Sequence, residues 1–198
     1  MKKLLLASAF LAMATPAIAG EYYVTAYGGG NWISDYHNDS KWISASTSGA
    51  GYVAGVAFGK KIDSVPGLRI ELDGSFRKNG VDVQFCNTTF NGYAGDSTLA
   101  LLVNAAYDIP VEVVGFQPYV LVGAGWGQRT GFVDSTGFER SSSELVWQAG
   151  AGVKTHLTSD IDLSIDYRHF DAPDLSVLPV TSEGSNDSVQ IGLTFALN

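Results

Sequence analysis

Charged side chains recur at every second position in several short segments of this chain. Eight of them could carry chemistry, namely Arg69, Glu71, Asp73, Arg77, Lys154, Asp162, Asp166 and Arg168. Carboxylates beside cationic side chains suit a path for protons or ions, acid–base catalysis, or a paired network that is purely structural. Which of these applies depends on the elements that position the residues.

The spacing of the apolar residues identifies those elements as β-strands. Apolar side chains alternate with polar, charged or small ones in eight stretches of about ten residues, separated by turn-forming residues. The predicted strands are Tyr22 to Asn31, Gly51 to Lys61, Leu68 to Lys78, Thr98 to Asp108, Pro118 to Gln128, Leu145 to Leu157, Ile161 to Phe170 and Ser188 to Leu197. No helical period competes with this pattern, so the fold is predicted to be all-β.

The two faces of the predicted strands differ in chemistry. In the four clearest strands one face carries no charge, whereas the opposite face carries eight charges in nineteen positions. The two faces must therefore meet different surroundings, as they do in a closed barrel. Alternation alone leaves open a soluble ligand-binding barrel, whose apolar face points inwards.

Three features favour the reverse arrangement, a barrel in a membrane with its apolar side chains outside. The connections alternate in length, at roughly 19, 6, 19, 9, 16, 3 and 17 residues, as in barrels with long external loops and short periplasmic turns. Aromatic residues are predicted at an outer rim (Tyr52, Phe76, Trp126, Trp147, Tyr167) and an inner rim (Tyr22, Phe58, Tyr107, Phe195). Glycines on the charged face suit a narrow lumen: Gly55, Gly59, Gly123, Gly125, Gly150, Gly152 and Gly192.

Composition and charge narrow the classes of function. The chain has 198 residues and a net charge of −8, which argues against nucleic-acid binding. With 23 glycines and only 16% charged residues, it resembles neither a disordered acidic tail nor a helical bundle. The single cysteine, Cys86, cannot form an intrachain disulfide.

The first residues have the pattern of a secretory signal peptide. Lys2 and Lys3 precede an apolar run, and Ala17 and Ala19 give the small-x-small pattern that precedes cleavage. We therefore predict a signal peptide at residues 1–19 and a mature barrel at residues 20–198.

Four strand motifs, in this order, resemble the small outer-membrane barrels of the OmpA transmembrane-domain and opacity-protein kind. They are the acidic-x-x-Gly-Ser-aromatic-Arg run ending at Arg77, the Asn-x-x-Tyr-Asp of residues 104–108, the Pro-Tyr-Val strand from Pro118 with its spaced glycines, and the acidic-Tyr-Arg of residues 166–168. The resemblance covers the whole mature sequence. It implies an all-β, eight-stranded antiparallel up-and-down transmembrane β-barrel, monomeric, in the outer membrane of a Gram-negative bacterium.

The last strand also resembles the signal by which the outer-membrane assembly machinery selects its clients. Gln190, Gly192, Phe195 and Leu197 match its polar-x-Gly-x-x-aromatic-x-hydrophobic pattern. Family members usually end on an aromatic residue, whereas Asn198 ends this chain. The assembly machinery is therefore an expected partner, together with outer-membrane lipid and lipopolysaccharide.

The eight charges are expected to face the lumen and to form a structural plug, because an eight-stranded barrel is only wide enough to be filled by its own side chains. No cofactor, metal or catalytic group is predicted. A structural role, or adhesion through the four long loops with an unidentified extracellular ligand, is the expected function.

A lipid-modifying enzyme is the alternative that the resemblance leaves open. The lipid-A deacylase barrels use a His-x-Ser motif, and the chain has three histidines, His37, His156 and His169. His169 is expected near the outer rim, but the residue two positions after it is Asp171. The nucleophile of that family is therefore absent from its usual place.

Overall fold

The computed structural model describes residues 22–33, 43–46, 51–85, 88–133, 138–177 and 180–197. The predicted signal peptide, His37 and Cys86 lie outside the described residues. Within these residues, no helix is both long and apolar enough to cross a membrane.

The described residues form nine antiparallel β-strands. They are β1 (Tyr22–Ile33), β2 (Ile43–Ser46), β3 (Gly51–Lys61), β4 (Leu68–Phe85), β5 (Thr88–Asp108), β6 (Gln117–Val133), β7 (Phe138–His156), β8 (Ile161–Val177) and β9 (Val180–Leu197). Each long strand pairs with its neighbours along the chain, and β1 pairs with β9 to close the ring. The short β2 pairs with the far end of β4. The prediction of an eight-stranded antiparallel up-and-down barrel is therefore confirmed.

The rows of side chains face the directions predicted for a membrane barrel. Apolar side chains such as Leu101 (53% exposed) and Val122 (61% exposed) cover the outside, whereas Asp73 and Gln190 are fully buried in the lumen. A soluble barrel has the opposite arrangement, because water is then outside. The soluble ligand-binding alternative does not fit this surface.

The predicted aromatic rims lie on the outer surface. At the end with the short connections, which we call the turn end, the rings of Tyr22 and Phe58 stack at 5.6 Å and the ammonium of Lys60 lies 5.2 Å from the Tyr22 ring. We call the opposite end the loop end, and towards it the ring centres of Tyr52 and Phe76 lie 6.3 Å apart. Aromatic rings of this kind suit the boundaries between hydrocarbon and water.

The strands extend further at the loop end than the alternation predicted. The β4–β5 ladder continues to the pair Phe85–Thr88, and β6–β7 and β8–β9 are extended in the same way. The prediction of four long loops is therefore wrong for three of them. Beyond the apolar band both faces of a ladder meet water, so the backbone hydrogen bonds continue while the alternation of side chains disappears.

The lumen is narrow enough to need glycine where tyrosine rings cross it. A Cβ atom on Gly59 would overlap the ring of Tyr23, and one on Gly55 would overlap the ring of Tyr27. Both tyrosines are buried. These glycines therefore create the space that the tyrosines of β1 occupy.

The replacement Gly59→Ala should lower the free energy of unfolding by about 1–3 kcal/mol, because the added methyl group overpacks the lumen against Tyr23. The matched control is Gly30→Ala, since a Cβ atom at Gly30 has no atom within 4 Å. Urea unfolding in detergent micelles, followed by tryptophan fluorescence, measures both variants. Equal stability of the two variants would contradict the proposed packing.

Candidate functional site

The lumen holds layers of paired charges, and the first layer lies towards the turn end. The guanidinium of Arg69 lies 2.9 Å from the carboxylate of Glu71 and 3.0 Å from that of Asp108. Lys154 donates a hydrogen bond to Asp108 at 2.6 Å, and the Tyr23 hydroxyl donates to Glu71 at 2.7 Å. Each carboxylate in this layer therefore has a cationic partner.

A second layer is centred on Arg168. Its guanidinium lies 2.7 Å from Asp166 and 3.1 Å from Asp73, so one cation joins two carboxylates. The hydroxyl of Tyr27 donates to Asp73 and that of Tyr119 donates to Asp166, both at 2.7 Å. The side chain of Asp73 is completely buried, and these donors replace the water that it loses on burial.

Arg77 is held differently from the other cations of the lumen. Among the described residues, no carboxylate lies within ion-pair distance of its guanidinium. The guanidinium instead lies 3.8 Å from the centre of the Phe170 ring and donates to the Ser75 hydroxyl at 2.7 Å and the Gln148 carbonyl at 3.4 Å. A cation–π contact and neutral acceptors thus stabilise this buried charge.

Polar groups also fill the lumen towards the loop end. Asn31 donates to Asn79 at 2.8 Å and to Asn186 at 3.1 Å, and Asn79 donates to Asn186 at 2.9 Å. Beyond them Arg129 donates to Asp96 at 2.6 Å. The described lumen is therefore filled at several heights.

Seven of the eight predicted charged residues fall into three groups in space, and Arg77 is held apart from them. Arg69 and Glu71 meet directly, as do Asp73, Asp166 and Arg168, whereas Lys154 joins the first pair through Asp108. Asp162 lies at the turn-end mouth of the lumen, 2.5 Å from Nδ1 of the exposed His156. A cavity of about 90 Å³ opens in this region and is lined by side chains of both charges, including Lys61, Glu71, Lys154 and Asp162.

Sequence reasoning missed several members of the network. Asp108 and Asn104 belong to the motif of residues 104–108 but are not among the predicted site residues, although Asn104 donates to Asp73 at 3.3 Å. The lumen-facing tyrosines Tyr23, Tyr27 and Tyr119 were missed altogether, because tyrosine occurs on both faces of the barrel. The signal that could have identified them is their spacing along the strand. Tyr23 and Tyr27 lie two residues from Thr25 and so share its face in β1, and Tyr119 shares a face with the glycines of β6.

A separate polar cluster lies on the outer surface near the loop-end rim. Nδ1 of His169 lies 2.9 Å from Asp187, the Tyr167 hydroxyl donates to the same carboxylate at 2.5 Å, and the Trp147 ring lies 5.4 Å from the imidazole. Asp171 is paired across the ladder with Ser185. The hydroxyl of Ser185 is buried and has no hydrogen-bond partner within the described structure.

The residues of the predicted assembly signal lie on both faces of β9. Gln190 is fully buried in the lumen and donates to the Ser188 hydroxyl at 2.8 Å. A Cβ atom on Gly192 would come within 2.7 Å of the Ser164 hydroxyl, whereas Phe195 and Leu197 are exposed on the outside. Recognition of these residues by the assembly machinery stays a prediction.

Comparison with known proteins agrees with this architecture. Neisserial surface protein A has a similar fold, with a TM-score of 0.60 and 17% identity over 89% of this chain and 97% of that chain. OprG of Pseudomonas aeruginosa has a TM-score of 0.52 and 15% identity over 90% of this chain and 97% of that chain. Outer membrane protein W of E. coli has a TM-score of 0.50 and 16% identity over 90% of this chain and 98% of that chain. No match was found among curated proteins.

The family comparison covers nearly all of the chain. The model described as the outer membrane protein beta-barrel domain matches residues 4–196. Together with the closed ladder and the apolar outer surface, this match places the protein in the outer membrane. The chain belongs to the outer membrane protein β-barrel domain family.

Proposed function

We propose that this barrel is a closed, rigid support that presents its loop-end extensions for interactions at the cell surface. The observation that carries the proposal is the long β4–β5 ladder, which runs from Leu68–Tyr107 near the turn end to Phe85–Thr88 at the far end, with one irregularity between Asp82 and Gln84. In bacterial outer-membrane barrels the short turns face the periplasm and the longer connections lie outside. The extended ladders therefore project from the cell.

The charges of the lumen support a closed barrel. Arg69 and Arg168 each join two carboxylates, and the Arg77 guanidinium is stacked on Phe170. A conducting path needs polar groups that are free to exchange partners with water, whereas these groups hold one another. The network thus acts as a structural plug that ties distant strands together.

The replacement Asp73→Asn should lower the free energy of unfolding by roughly 3 kcal/mol, because it leaves a buried cation with less compensation. The control is Glu112→Gln on an exposed turn, where a change within about 0.5 kcal/mol is expected. Urea unfolding in micelles compares the two. If both variants matched the parent protein, the plug would not hold the barrel together.

The sequence of the four loop-end connections indicates the class of partner. Residues 32–50, 79–97, 129–144 and 171–187 contain eleven acidic and three basic side chains. One of each, Asp96 and Arg129, forms a buried ion pair, which leaves ten acidic and two basic side chains. A surface of this charge repels sulfated or phosphorylated polymers and attracts cationic groups. We therefore favour a cationic protein surface as the partner over an anionic glycan.

Shortening one extension tests the proposed presentation. Gly80 and Gly95 are directly paired, so residues 81–94 can be replaced by an Asn-Gly turn that keeps the β4–β5 register. A non-adherent bacterial strain that produces the parent protein should bind matrix-coated surfaces, and the shortened variant should lose most of that adhesion while still folding and reaching the outer membrane. Adhesion should also weaken at high salt. Equal adhesion by the two proteins, or none by the parent, would contradict a surface-interaction role.

A lipid-modifying enzyme is a second candidate, favoured by the outer-surface cluster. With Nδ1–H of His169 donating to the Asp187 carboxylate, Nε2 is the nitrogen that could accept a proton from a serine. The unpartnered hydroxyl of Ser185 lies on the same outer face of β9 as Asp187, two residues away. Catalysis would require this hydroxyl to reach Nε2.

If this second function is real, His169→Ala and Ser185→Ala should each abolish fatty-acid release from phospholipid or lipopolysaccharide, because each removes one partner of the proton transfer. His156→Ala, at the opposite end of the barrel, is the control and should leave the release unchanged. Thin-layer chromatography of lipid incubated with the reconstituted protein measures the products. Absence of release by the parent protein would exclude the enzyme.

A further inference from the structure

The connection between β5 and β6, residues 109–116, carries an unusual number of exposed apolar side chains. Val111 is 54% exposed, Val113 57%, Val114 90% and Phe116 46%. The connection contains one charged residue, Glu112. An apolar tip of this kind needs a partner that removes it from water.

The tip of this connection is a tight two-residue turn with a fixed shape. Val113 and Phe116 exchange two backbone hydrogen bonds, of 2.9 and 3.0 Å. Between them Val114 has φ 54° and Gly115 has φ 81°. Asn-Gly usually occupies such a turn, because a β-branched residue at positive φ is strained. Val114 is nearly fully exposed, so packing within the barrel does not offset the strain, which indicates that its side chain serves an external contact.

The two other short turns differ from this one. Residues 62–67 contain one strongly exposed large apolar side chain, Val65, beside the exposed Asp63 and Ser64. Residues 157–160 contain Leu157 followed by exposed polar residues. Turns that simply face the periplasm therefore have polar tips in this protein, and the apolar tip is particular to the β5–β6 connection.

The apolar tip is continuous with the surface that contacts lipid. Tyr107 precedes it and Val120 follows it, and both are exposed on the outer face of the barrel. We propose that the hairpin of residues 109–116 lies in the periplasmic leaflet of the outer membrane and binds phospholipid at the boundary between headgroups and acyl chains. The hairpin then anchors the turn end of the barrel at a fixed depth, together with the aromatic rim at the same end.

A spin label at the tip tests this placement directly. The label is attached to Val114→Cys in a Cys86→Ser background, and the matched control is Ser159→Cys on the polar β7–β8 turn. Both proteins are reconstituted into vesicles of phosphatidylethanolamine and phosphatidylglycerol with no other protein present. Collision of the label with oxygen, which concentrates in lipid, is compared with collision with a neutral nickel chelate, which concentrates in water.

The proposal predicts an oxygen-to-nickel collision ratio several-fold higher at position 114 than at position 159. If labelling at position 114 prevents folding, Val113→Cys is used in the same way. Equal, water-like ratios at the two turns would overturn the proposal. So would shielding of position 114 that develops only after a periplasmic extract is added, because the tip would then bind a protein.

Discussion

Hydrocarbon offers no hydrogen bonds to a polypeptide backbone, and the rest of this structure depends on that constraint. Every strand that crosses the bilayer must have a partner on both sides, which the pairing of β1 with β9 completes. Once the ring is closed, successive side chains must point alternately to lipid and to the lumen. Between the two aromatic rims, charges are therefore confined to one parity along each strand, and the family match and the exposed apolar surface agree with this division.

The same closure makes the lumen a small, water-poor space in which buried charges must satisfy one another. Arg168 between Asp73 and Asp166 shows how one cation compensates two carboxylates, with tyrosine hydroxyls supplying further hydrogen bonds. Glycines opposite those tyrosines provide the necessary room. Charge pairing and ring packing thus act together to hold strands that are distant in sequence, which suits a rigid support for the segments beyond the membrane.

The alternation of side chains was sufficient to predict the eight barrel strands, their pairing and the direction of each face, because the bilayer imposes a strict pattern on them. It could not predict the extensions, where both faces meet water. Asn79-Gly80 and Asn91-Gly92 have the residues of a turn, yet they lie inside β4 and β5. Tyr23 and Tyr27 were missed because their amphipathic rings suit either face, and the glycines across the lumen show which face they occupy.

The direction of the apolar rows is best measured by nuclear Overhauser contacts between protein methyl groups and lipid chains in nanodiscs. The methyl groups of Ile70, Ile191 and Leu193, which are exposed on the outer surface, should give cross-peaks to acyl CH₂ protons. Those of Leu102, Leu121 and Val146, which are buried in the lumen, should give none. The reverse pattern, or lipid contacts from both sets, would contradict the division of the barrel into a lipid-facing and a lumen-facing surface.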